Sequence, residues 1–211
     1  MGGIWNWLGL GYNERALAEA QRIVRLRPAD TEAHLILALL LQERGDGNRA
    51  EKEFRLAFPC SEDRPYLLTS LGQVALARAE WKTAAGYFRE ALAKTPDLAQ
   101  ASYGLAQAMA GAGDKRAAIG VLQRLTKDCP AWPAAFLLLG DLMAANGAKL
   151  ADIAAVYERA GASNPSDVEL RLRWARLLQQ LGQKDKAREV YANVLMLEPE
   201  NEEARKALGG D

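Results

Sequence analysis

The sequence predicts an all-α fold built by repeating one helix-turn-helix unit. Two observations carry this. Ala16, Ala50, Ala84 and Ala118 fall 34 residues apart, and Ala187 continues the series after two further periods plus one residue. Other positions recur in the same phase: Leu37, Leu71, Leu105, Leu139 and Trp174; Ala38, Gly72, Ala106, Gly140 and Ala175; Phe54, Phe88, Leu122, Tyr157 and Tyr191; and Pro28, Pro96, Pro130, Pro165 and Pro199. A period of this size is the signature of a stacked repeat.

Phased on the alanines, the chain divides into a shortened unit in 1–30, units at 31–64, 65–98, 99–132, 133–167 and 168–201, and a capping helix in 202–211. The whole of 1–211 reads as a single array. Within each unit a first helix runs to a turn at Gly45, Ala79, Gly113, Gly147 or Gly182, where a helix end favours a left-handed residue. A second helix runs to the proline, which cannot continue it. Small residues such as Gly72 and Ala106 are expected to face Ala84 and Ala118 where the paired helices cross, with Leu71 and Phe88 filling the space beside. Three irregularities are expected. The second helix of 31–64 stops short at Pro59, 133–167 carries an extra residue near Ala148 or Lys149, and the first unit has only Ile4 to Leu10 for its opening helix.

Leu71-Gly72, Trp81, Ala84, Phe88, Ala91 and Pro96 together resemble the tetratricopeptide repeat, and the likeness recurs unit by unit over nearly the whole chain. The resemblance implies a right-handed α-solenoid and a noncatalytic scaffold or adaptor. Such a scaffold binds an extended or amphipathic segment of a partner protein, as an assembly factor for example. The alternative is a regulatory or substrate-recruiting subunit of an enzyme complex, which would carry the same signature.

In that family the first helix of every unit lines a concave groove. The groove positions here are Leu35, Leu39 and Gln42; Tyr66, Thr69, Gln73 and Leu76; Tyr103 and Gln107; Leu137 and Asp141; and Leu172, Arg176, Gln179 and Gln180. Members that hold the acidic tails of heat-shock chaperones place lysine, asparagine and arginine on these faces. Leu35, Leu39, Thr69, Gln73 and Tyr103 stand at comparable places here, which disfavours that ligand.

Composition narrows the other classes. With 27 Lys+Arg against 27 Asp+Glu the net charge is zero, and no basic stripe recurs at a fixed repeat position. Nucleic acid is therefore not an expected partner. The longest apolar run, Leu35 to Leu41, falls short of the roughly 18 residues that span a bilayer. The N-terminus has no basic residue ahead of its apolar stretch, so a cytoplasmic location is expected, a periplasmic one remaining open for a mature or excised fragment.

Cys60 and Cys129 lie two periods apart. Stacked helices stand about 8–10 Å apart and a disulfide needs Cα atoms within about 7 Å, so both are expected as free thiols. His34 is the single histidine and is expected to pack inside its helix pair. With no Cys/His cluster and no catalytic constellation, neither an enzyme active site, a metal nor a cofactor is expected. Trp5 and Trp7, beside Leu8 and Leu10, have no preceding unit to cover them. Two readings stand side by side: a cap folded onto the first pair, or a second contact surface for a dimer partner or a membrane surface.

Overall fold

A computed structural model describes residues 13–59 and 64–209. Among them are twelve α-helices and no strand: α1 Asn13–Leu26, α2 Thr31–Glu43, α3 Gly47–Ala57, α4 Arg64–Ala77, α5 Trp81–Lys94, α6 Ala99–Gly111, α7 Lys115–Asp128, α8 Pro133–Ala145, α9 Leu150–Ser163, α10 Val168–Gln180, α11 Lys184–Leu197 and α12 Glu202–Gly209. The chain divides into two compact units, 1–112 and 113–211, so the first holds α1–α6 and the second α7–α12. The expected opening helix at Ile4–Leu10, Trp5, Trp7 and Cys60 lie outside the described residues.

In each unit, helices adjacent in sequence pack against one another, and first helices of successive repeats also touch: α4 on α6, and α8 on α10. The alanines of the register explain how the pairs close. Ala16, Ala50, Ala84 and Ala118 expose no surface at all; α3, which bears Ala50, packs on α2, and α5, which bears Ala84, packs on α4. Phe54, Phe88, Leu122 and Tyr191 are buried as well. One core joins Ala16, Ile36, Leu37, Leu40, Ala50, Phe54 and Val74, another Ala175, Leu178, Ala187, Tyr191, Val194 and Ala204.

Gly72 has a neighbour that the register alone does not show. Both Gly72 and Gly104 lie against the ring of Phe88, and a Cβ at either would collide with it. Their missing side chains therefore admit an aromatic ring. Gly140 leaves room in the same way for the Tyr157 hydroxyl.

Turn chemistry fixes the helix ends. Gly45, Ala79, Gly113, Gly147 and Gly182 all take positive φ, as expected of the turn positions. The left-handed residue lets two amides turn back onto the last helical carbonyls: Gly45 N donates to Gln42 O at 2.9 Å and Asp46 N to Leu41 O at 2.9 Å. Two second helices, α3 and α7, then start on side-chain caps, Asp46 accepting from Arg49 N and Asp114 from Ala117 N. Two first helices, α2 and α10, do likewise from Asp30 and Asp167. These caps satisfy amides that a helix N-terminus leaves without partners.

Two of the expected irregularities lie within the described residues and are seen there. Helix α3 has 11 residues where α5 has 14. The extra residue of 133–167 sits in the turn between α8 and α9, which spans 146–149. Cys129 is a free, half-buried thiol.

Candidate functional site

The first unit places Leu35 and Leu39 on α2, Tyr66, Gln73 and Leu76 on α4, and Tyr103 and Gln107 on α6. Helix α2 commits Ile36, Leu37, Ala38, Leu40 and Leu41 to the core. Leu35 rests half-buried against that core and Leu39 stays 41% exposed. Tyr66 is 51% exposed, although a phenol ring is costly to leave in water. Gln73, Leu76, Tyr103 and Gln107 are half-buried, and burial pushes the Tyr103 phenol above its ordinary range. Thr69 is turned inward, its hydroxyl donating to the Pro65 carbonyl at 2.8 Å. The candidate positions in this unit are thus apolar, aromatic or amide. Ion pairs in this unit join other residues, Arg64 with Glu90 and Arg44 with Glu14 among them.

The second unit differs in chemistry. Asp141 on α8 pairs with Arg173 on α10, and Arg173 also holds Glu169 at 2.8 Å. Arg176 reaches the last helix, its Nε donating to Glu203 Oε1 at 2.7 Å. Both Asp141 and Arg176 are therefore engaged by the chain's own charges. Leu137 is half-buried. Leu172 is placed differently from the open groove position expected of it: it is buried in the core shared by α10, α11 and α12, because the side of α10 that bears it also bears Ala175.

Arg173 is absent from the positions that the repeat pattern marks. A signal for it exists, since an acid and a base 32 residues apart lie nearly one period apart on neighbouring first helices. Burial raises the Tyr157 phenol, and Arg173 beside it acts in the opposite direction.

His34 is buried as expected, but it is more than packing. Its Nδ1 lies 2.6 Å from Glu53 Oε2 and its Nε2 3.0 Å from the Pro28 carbonyl oxygen. The ring thereby ties α2 to α3 and to the turn after α1. Among the described residues no group of His, Cys, Asp and Glu could hold a metal ion, and no helix is long and apolar enough to cross a membrane.

Helix pairs stacked through small residues, closed by left-handed turns and recurring at 34 residues, define the class as a helical repeat protein. Tetratricopeptide repeat families match residues 75–142 and 142–209 and residues 8–65. The chain belongs to the tetratricopeptide repeat family, and its fold is the all-α one that the register predicts. A comparison with curated proteins found no match.

Among solved structures, PilW, a widely conserved type IV pilus biogenesis factor, is similar at 21% identity, with 97% of this chain and 94% of that one covered and a TM-score of 0.72. The Pseudomonas aeruginosa pilF protein is similar at 17% identity, over 99% of this chain and 94% of that one, with a TM-score of 0.69. YrrB, a tetratricopeptide protein with an unusual peptide-binding site, is similar at 17% identity, over 89% and 96%, with a TM-score of 0.56. At these identities the likeness is one of fold, and that fold supports a protein-interaction scaffold.

Proposed function

We propose that this chain is a noncatalytic scaffold that holds an extended or amphipathic segment of a partner protein on the first helices of its repeats. The observation that carries this reading is the exposure of Leu39 and Tyr66 on α2 and α4, in helices whose other large apolar side chains are buried or half-buried. Leu35, Gln73, Leu76, Tyr103 and Gln107 extend the same surface chemistry. Aromatic groups provide large contact area at low entropic cost, and the glutamine amides supply donors and acceptors for a ligand backbone. In the second unit Leu137, Asp141 and Arg176 are the corresponding candidates. An assembly factor is one form such a scaffold takes, and PilW is named a pilus biogenesis factor.

Photo-crosslinking tests this reading. A photoreactive residue at Leu39 or Tyr66 should trap a partner from the native cell, whereas one at Lys82 or Arg89, exposed on the second helix α5, should not. Trapping from the α5 positions alone would place the ligand elsewhere.

A further inference from the structure

Helix α7 buries Ala118, Leu122, Leu125 and Thr126 and exposes Arg116, Gly120, Gln123, Arg124 and Lys127. Intervals of three and four residues keep these five on one face, with Arg116 and Arg124 about 12 Å apart along the axis. The face is a local excess of positive charge in a chain of zero net charge. From Lys115 to Gly140 there are four basic residues and one acid, Asp128. Asp114, just before the helix, caps Ala117 N at 3.1 Å, and Lys115 donates to the Ala145 carbonyl at 3.4 Å. Helix α8, packed on α7, carries one charge, Asp141, which Arg173 holds. Elsewhere arginines find acids of the chain, Arg55 with Glu51, Arg64 with Glu90 and Arg205 with Glu200 among them. Among the described residues no acid pairs with Arg116, Arg124 or Lys127.

Nothing inside the helix accounts for this composition. Lys127 alone stands at the end where the helix dipole favours a cation; Arg116, in the first turn, stands at the end that repels one. Arg124 and Lys127, one turn apart, repel each other. Gly120 weakens the helix at its middle, and nothing lies within 4 Å of a Cβ built there, so no neighbour within the chain requires its small size. We propose that this face docks an acidic helix of a partner protein, which crosses α7 at Gly120 with carboxylates about two turns apart meeting Arg116 and Arg124. The missing side chain lets the partner's backbone come close, and each guanidinium fork takes a carboxylate in a bidentate pair. The features that weaken α7 on its own are thereby offset in the complex.

Two other anionic surfaces match this face less well. A bilayer holds an interfacial helix through inserted apolar side chains as well as charge, and α7 exposes no large hydrophobic residue. Nucleic acid is held through many phosphates, and three unpaired cations on one face supply few such contacts. Neither surface has a use for the notch at Gly120. The site lies on a second helix and is independent of the surface on the first helices.

The probe is an alanine-based helical peptide with glutamates at every fourth position of one face, used beside its glutamine counterpart. Titrated into the full chain at an ionic strength of about 0.01 M, the glutamate peptide should shift the amide NMR signals of α7 around Gly120, and the glutamine peptide should not. Binding should weaken about tenfold or more in Arg116→Glu with Arg124→Glu, in Gly120→Leu, and on raising the ionic strength to about 0.15 M. Lys82→Glu with Arg89→Glu makes the same change of charge on α5, where both residues are exposed, and should bind as wild type does. Circular dichroism should show wild-type helicity in all three variants. Equal affinity in wild type and either α7 variant would overturn the proposal, as would shifts confined to other helices. Tighter binding of anionic phospholipid vesicles or of a DNA duplex at α7, lost in the same variants, would overturn it in favour of that surface.

Discussion

Gly72 lies against the ring of Phe88, so that a methyl group at Gly72 would stand 2.6 Å from Phe88 Cε1. The ring has nowhere to retreat, because Gly104 meets the same end of it, nearest at Cζ, from the next first helix and Phe88 exposes no surface. Helix propensity favours alanine over glycine by about 1 kcal/mol, while overpacking a closed site costs roughly 1–3 kcal/mol. With the ring held between two helices the second effect should win.

Gly72→Ala is therefore expected to destabilise the protein, by up to about 2 kcal/mol in denaturant titration. Gly86→Ala is the matched control: it lies in α5, exposed, with nothing within 4 Å of a built Cβ. That variant should gain about 0.5–1 kcal/mol. If both variants moved stability in the same direction, the packing account of Gly72 would fail.

Ala79 is the one non-glycine residue with positive φ among those described, at 58°, and it occupies the turn position filled by Gly45, Gly113, Gly147 and Gly182. Its turn keeps the same hydrogen bonds, Ala79 N to Leu76 O and Glu80 N to Ala75 O, both 2.9 Å. A Cβ in this conformation costs roughly 1–2 kcal/mol. Ala79→Gly should raise stability by about 0.5–1 kcal/mol, the gain being reduced by the greater freedom of glycine in the unfolded chain. A loss of stability on thermal melting would contradict this.

The cap helix α12 should respond to acid. The Arg176 guanidinium hydrogen-bonded to Glu203 holds that carboxyl below the ordinary glutamate range, and burial works against the shift. A depressed carboxyl contributes stability above its unfolded value and loses it as pH falls through its folded value. The pair is partly exposed, 47% and 35%, so solvent screening limits the effect to about 0.2–1 kcal/mol. Amide exchange in α12 should quicken, beyond the intrinsic change, on acidification through the carboxylate range. Glu203→Gln should start looser and show a smaller pH response. An α12 response identical in both would show that the pair contributes nothing.

Much of this fold was legible in the sequence because a repeat forces the same packing problem to be solved in every unit. The zero exposure of Ala84, the left-handed turn at Gly147 and the four-residue turn at 146–149 all follow from one register. Lateral relationships were less legible. A period tells which class of position a residue occupies, but not which side chain from another helix arrives there. Phe88 seated on Gly104, His34 meeting Glu53 and Arg173 meeting Asp141 all join separate helices. Leu172 shows the same limit: a position read as groove turned into the core that residues of α10, α11 and α12 share.

The central claim, a partner segment held on the first helices, is tested most directly by titrating the recovered partner segment against wild type and a variant carrying Tyr66→Ala with Tyr103→Ala. Loss of both rings should weaken binding by about 2 kcal/mol or more, roughly thirtyfold in Kd. Helicity should be nearly intact, and binding should depend weakly on salt, since few of these positions are charged. An unchanged Kd in the helical double variant, or wild-type binding abolished by moderate salt alone, would contradict the account.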